Sequence, residues 1–178
     1  MVAALIAAAL GGCNRSLPSE WERKNETLVD KQEEDPVPPA PVFPARAALL
    51  EFEVRGQRDF RYYIDGASLS VDPKGIIRYT LVARSPSGID NVTYEALRCK
   101  TDEYRVYALG RADGTWGGRP GNWRSIAESR QPQHRALQRE YFCPQNNPIH
   151  NADEGRSALQ QNGHAWSRGF SGDRALGR

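Results

Sequence analysis

FRYYIDGASLSVDPKGIIRYTLVAR, residues 60–84, holds two strand-like runs on either side of a turn. Aromatic and β-branched residues crowd its two ends, where the pleated surface of a strand suits them. Asp65-Gly66 interrupts the first run, which resumes as far as Val71. Asp72-Pro73-Lys74-Gly75 is a turn, since proline presets one φ and glycine accepts a positive one. The flanking runs therefore read as neighbouring antiparallel strands.

Upstream, LLEFEVR (residues 49–55) alternates, with Leu50, Phe52 and Val54 on one face and Glu51, Glu53 and Arg55 on the other. Downstream, Ser85-Pro86-Ser87-Gly88 is a second turn, and NVTYEALRC (91–99) and EYRVYALG (103–110) are further strands. RADGTWGGRPGNWR (111–124) is rich in glycine and reads as turns. Pro132 suits a first helical turn, Leu137 and Tyr141 share a helix face, and Pro144 ends it. Asn151 with Glu154 opens a second helix that stops at Asn162-Gly163. The expected fold is α+β: an antiparallel sheet of five or six strands with two short helices packed on one face, spanning residues 47–163. Residues 164–178 are expected to be a disordered tail.

The chain opens on MVAALIAAALGG, residues 1–12, an uncharged apolar run of signal-peptide length and too short to cross a bilayer as a helix. It ends in Leu10-Gly11-Gly12-Cys13, which resembles a lipoprotein processing site and makes Cys13 the expected lipidated residue. Residues 13–46 read as an acidic, then proline-dense tether, ending DPVPPAPVFPAR. Asn14 after the cysteine favours the outer membrane.

Assigning Cys13 to lipid leaves Cys99 and Cys143 as an even pair in an oxidising space, and a disulfide between them is expected; two buried free thiols are the alternative. Net charge is +2 over 178 residues. Residues 14–45 carry four basic and seven acidic side chains, and the rest of the chain is +5. A basic domain on an acidic tether could rest on anionic lipid or polyanionic envelope polymers, but lysine supplies only 4 of the 24 basic residues, so the excess reads as a composition bias more than as a selected basic face; the expected compartment excludes nucleic acid.

Several blocks in order carry a resemblance: Asp65 to Ser70, Arg78 to Thr80, Ser85 to Val92, and the strand holding Cys99. With YRVYALGRADGTW, FCPQNNPI and ADEGRSAL they make the chain similar to the cryptic-neisserial-protein-like family of proteobacterial envelope proteins over roughly residues 49–160. That resemblance implies an envelope location and offers no catalytic residues to carry over. A looser likeness to surface-adhesin E domains implies a six-stranded antiparallel sheet.

Chemistry is sparsely signposted. His134, His150 and His164 have no metal-ligand spacing, so neither a metal nor a cofactor is expected. His134 reads as a polar helix position and His164 as part of the tail. Ser68, Ser70, Ser85 and Ser87 lack an activating motif and read as turn and strand-surface hydroxyls. Arg111, Trp116, Arg119 and Trp123, in and beside the glycine-rich stretch, form the candidate ligand or partner surface, with aromatic faces for sugar rings and guanidinium groups for acidic ones. The expectation is a non-enzymatic envelope lipoprotein with a binding or structural role, held to the membrane by its lipid and engaging an envelope protein or polysaccharide. A host- or matrix-binding adhesin and a peptidoglycan-acting enzyme are the alternatives. An exposed Trp116–Trp123 surface would favour binding, and convergence of Asp, His and Ser in one deep pocket would favour the enzyme.

Overall fold

The computed structural model describes residues 36–168, and the folded unit begins at Val37. The leader, Cys13, most of the tether and residues 169–178 lie outside the described residues.

Eight antiparallel strands form one sheet: β1 (Leu49–Phe52), β2 (Arg61–Asp65), β3 (Ser70–Val71), β4 (Ile76–Arg84), β5 (Asp90–Arg98), β6 (Glu103–Gly110), β7 (Trp116–Gly117) and β8 (Arg124–Ser125). The order is β1-β2-β4-β5-β6-β7, with β3 added to β4 and β8 to β6. The α+β class is as expected, but the strand count exceeds five or six. The surplus comes from two-residue strands, and β7 and β8 lie at the ends of the glycine-rich stretch read as turns. Two residues cannot display an alternation, so periodicity has nothing to register there.

The long β4–β5 pairing, Ile76↔Arg98 through Arg84↔Asp90, is the spine of the sheet. Its Ser85–Gly88 turn is clamped by Arg84, whose guanidinium meets the Asp90 carboxylate at 2.6 and 2.8 Å. Asp72 closes the other expected turn by accepting from the Lys74 and Ile76 backbone N–H groups, both at 2.9 Å.

One face of the sheet carries Phe52, Ile64, Ile77, Tyr79, Leu81 and Leu97, and helical segments cover it. These are α1 (Pro132–Ala136), which widens into a π-helical segment at Leu137–Phe142, then α2 (Ala152–Gln160) and α3 (Ala165–Arg168). Leu137, Tyr141 and Phe142 are buried there, as the i, i+4 pairing implies. Asn151 caps α2 by accepting from Glu154 N at 3.0 Å. Gly155 lets α2 approach: a Cβ would lie 2.7 Å from both Ile149 Cδ1 and Leu69 Cδ2. Helix α3 stands where a disordered tail was expected, so three short helices replace two.

Cys99, just past β5, is disulfide-bonded to Cys143, just past the π segment, as the cysteine count implies. The bond ties the helical layer to the sheet. At the other end of the domain the tether is shorter than its composition suggests. Trp116 Nε1 donates to the Pro41 carbonyl at 2.7 Å, and the Phe43 ring lies 5.2 Å from that of Trp116. Residues 41–43 thus belong to the fold, strapped across the sheet's second face beside Val92 and Tyr63. Gly110 makes room for the strap, since a Cβ there would lie 2.9 Å from the Phe43 ring.

Candidate functional site

Strand β5 places Glu95 on the same face as Leu97 and Cys99, so its carboxyl points into the covered layer and is 1 % exposed. Three groups surround it there. Thr93 Oγ1 donates to Glu95 Oε1 at 2.7 Å, Tyr79 Oη donates to Oε2 at 3.2 Å, and His134 Nε2 lies 3.0 Å from Oε2. A buried carboxylate is tolerated when its lone pairs are met in this way. Burial, followed by the Glu95 charge and hydrogen bond, pushes the Tyr79 hydroxyl pKa well above its ordinary value. His134 is fully buried on α1, and Tyr104 of β6 stacks on its ring with centroids 3.8 Å apart. Its other nitrogen, Nδ1, lies 3.2 Å from Ser129 Oγ in the turn before α1. Ser129 Oγ also accepts from Gln131 N at 3.1 Å.

This line of side chains ends at a cleft. Ser129 lines a space of about 610 Å³ together with Tyr104, Trp123, Arg124, Glu128 and Arg130. That volume is in the range of small-molecule sites. The β6–β8 register, Glu103↔Ser125 and Tyr104↔Arg124, hangs one wall on the edge of the sheet. Ile126 N, donating to the Asp102 carbonyl at 2.8 Å, fixes the chain as it leaves β8. The Arg98 guanidinium lies 3.9 Å from the Trp123 ring centroid and holds that indole in place. Arg124 and Arg130 are exposed at the mouth, where their charge outweighs that of Glu128.

A family model described as the CNP1-like family matches residues 28–160. The chain belongs to the CNP1-like family. The match reaches upstream of the sheet and takes in the strap around Pro41 and Phe43. No curated protein and no solved structure matches the chain. Among the described residues of this CNP1-like chain, no group of three histidine, cysteine or acidic side chains is placed to hold a metal ion, and no helix is long and apolar enough to cross a membrane.

Of the expected surface, Trp116 and Trp123 are half-buried against one cluster, Ile76, Tyr94, Ala96 and Tyr107, at different points along β6. Trp116 pairs with β6 at Gly110 and Trp123 adjoins the pairing at Tyr104, six residues or about 20 Å apart along that strand. Trp116 is taken up by the strap and by Tyr94, 6.2 Å between ring centroids. Arg111 folds over Gly117 and donates to the Trp116 carbonyl at 3.3 Å, so it fastens the β6–β7 turn. Arg119 is exposed. Only Trp123 reaches the cleft.

His134 does sit on a helix, α1, but as a fully buried partner of Glu95. The expectation for His164 is overturned. His164 is 7 % exposed and not in a loose tail: its N–H donates to the Glu140 carbonyl at 2.7 Å, and its Nε2 lies 2.8 Å from Glu154 Oε1. Burial opposes ionisation of Glu154, yet the His150 N–H and the His164 and His150 side chains outweigh it and hold that carboxyl below its ordinary pKa.

Proposed function

We propose that this chain is an exported lipoprotein of the cell envelope, anchored through Cys13 and probing its surroundings with a disulfide-stapled domain that binds an acidic glycan in the cleft beside β8. The observation that carries the reading is the cleft itself, lined by the half-buried Trp123 and the largely buried Tyr104 beside the exposed Arg124 and Arg130. Aromatic faces suit sugar rings, and guanidinium forks suit carboxylate or phosphate groups. The Cys99–Cys143 bond is consistent with an oxidising compartment, and the exposed Arg124 and Arg130 at the cleft favour an anionic partner. Nucleic acid is not a partner in this reading because of the compartment.

The test is calorimetric titration of the domain with soluble carboxylate-bearing cell-wall glycan fragments. Arg124→Ala/Arg130→Ala, both exposed, leaves the fold intact and weakens binding at least about tenfold, the worth of one charged contact. Unchanged affinity in the double variant overturns the reading.

A further inference from the structure

Glu95, His134 and Ser129 form a relay that ends in a cleft, and pinning α1 to the sheet needs only the first two. Glu95 already accepts hydroxyl protons from Tyr79 and Thr93, which sets it as an acceptor toward His134 as well. His134 therefore carries its proton on Nε2 and turns the Nδ1 lone pair toward Ser129. The Ser129 oxygen accepts from Gln131 N, and its own proton has two acceptors in reach, Nδ1 at 3.2 Å and the Gln131 carbonyl at 3.4 Å, of which Nδ1 is the nearer. Tyr104, stacked on the imidazole, blocks ring rotation and fixes which nitrogen faces which neighbour. Hydroxyl, base and orienting carboxylate thus stand in the order that activates a serine, and either imidazole nitrogen can serve as the base. Of the three, Ser129 alone lines the cleft.

We propose that Ser129 is a nucleophile that cleaves acyl esters carried by the glycan bound in this cleft, a deepening of the binding reading above. The Ser129 oxygen forms a bond to the ester carbonyl carbon while its proton passes to His134 Nδ1. The sugar C–O–acyl linkage then breaks at the carbonyl carbon, and the departing alkoxide takes a proton from water in the cleft, since His134 is fully buried behind Ser129. The hydroxide so formed attacks the acyl-serine and releases the free acid, and the Ser129 alkoxide takes its proton back from Nδ1. The net change is ester plus water to alcohol plus acid, with no redox partner. Arg124 and Arg130 at the cleft supply the positive charge available to the transient oxyanion.

The full chain is incubated with a fluorophosphonate probe and, separately, with 4-nitrophenyl acetate, and adducts are located by mass spectrometry. The expected result is one adduct, on Ser129, absent in Ser129→Ala. Ester turnover in His134→Gln falls about 10²–10⁴-fold, the usual worth of a general base. A thermal melt of each variant shows whether it is folded. Ser129 is half-buried and bonds His134 and Gln131, so a melting point of Ser129→Ala close to that of the wild type is what makes its loss of labelling a readout of chemistry and not of unfolding. An unlabelled Ser129, or labelling confined to another residue, overturns the proposal. Because the probe is not a glycan, that failure is separate from failure of the titration with glycan fragments.

Discussion

Opening the Cys99–Cys143 bond is expected to give one of the two largest stability changes in this domain. The bond joins residues 44 apart and links the end of β5 to the end of the π segment, across the two layers of the fold. In the chain-entropy description, a loop of that length restricts the unfolded chain by about 13 cal/mol/K, or ~4 kcal/mol at 25 °C. That is a large share of the 5–15 kcal/mol by which domains are usually stable. For a folded unit of about 130 residues, an unfolding entropy near 2.1 cal/mol/K per residue converts this into a melting point about 15 °C lower. The assay is differential scanning calorimetry of the oxidised domain, of the domain reduced under mild denaturant, and of Cys99→Ala/Cys143→Ala. The variant also loses two buried sulfurs, so it should melt no higher than the reduced wild type. A difference below about 5 °C between oxidised and reduced forms would refute the reasoning, and so would alkylation of both cysteines in protein that has never seen reductant.

Other perturbations probe other parts of the account. Glu95→Ala leaves the Tyr79, Thr93 and His134 groups facing an unfilled space and should cost about 3–5 kcal/mol in urea unfolding; a loss under about 1 kcal/mol means the network is not what holds α1 down. Gly110→Ala forces a methyl against Val92 and the Phe43 ring, at 2.7 and 2.9 Å. It should cost about 1–3 kcal/mol and expose Phe43 and Trp116, seen as protease cleavage in the strap at residues 37–44. Burial pushes the Tyr141 hydroxyl up to about 12, so the unfolded chain ionises first. Stability is therefore complete below pH 10 and falls as pH rises toward 12, and a melting point flat across that window contradicts the burial. Wild-type chain should incorporate palmitate and sediment with membranes; Cys13→Ser should do neither, and its labelling would remove the anchor from the account.

Much of the architecture is legible because it is written in periods. LLEFEVR alternates so that Phe52 and Val54 fall on the buried side, and IIRYTLVAR, hydrophobic on both faces, becomes the central strand β4. The Asp65, Asp72 and Asn151 side chains are local signals, each bonding to backbone two to four residues on. What is illegible is non-local or very short. Strands β7 and β8 are too brief to show a pattern. Glu95 and His134 are 39 residues apart, and no spacing announces their pairing. One clue was available: Glu95 shares its strand phase with Leu97 and Cys99, and a charge on an otherwise apolar face asks for a partner. Phe43 is a similar clue, a lone aromatic in a proline run whose composition says tether while its ring seeks Trp116.

If the cleft beside β8 binds an acidic glycan, heteronuclear NMR of the isotopically labelled domain with added acidic glycan fragments should show shifts confined to the Trp123 indole, Arg124 and residues 128–131, spreading inward to Tyr104 and His134. Shifts centred on Arg111, Trp116 and Arg119, or no shifts at saturating glycan, would contradict binding in this cleft.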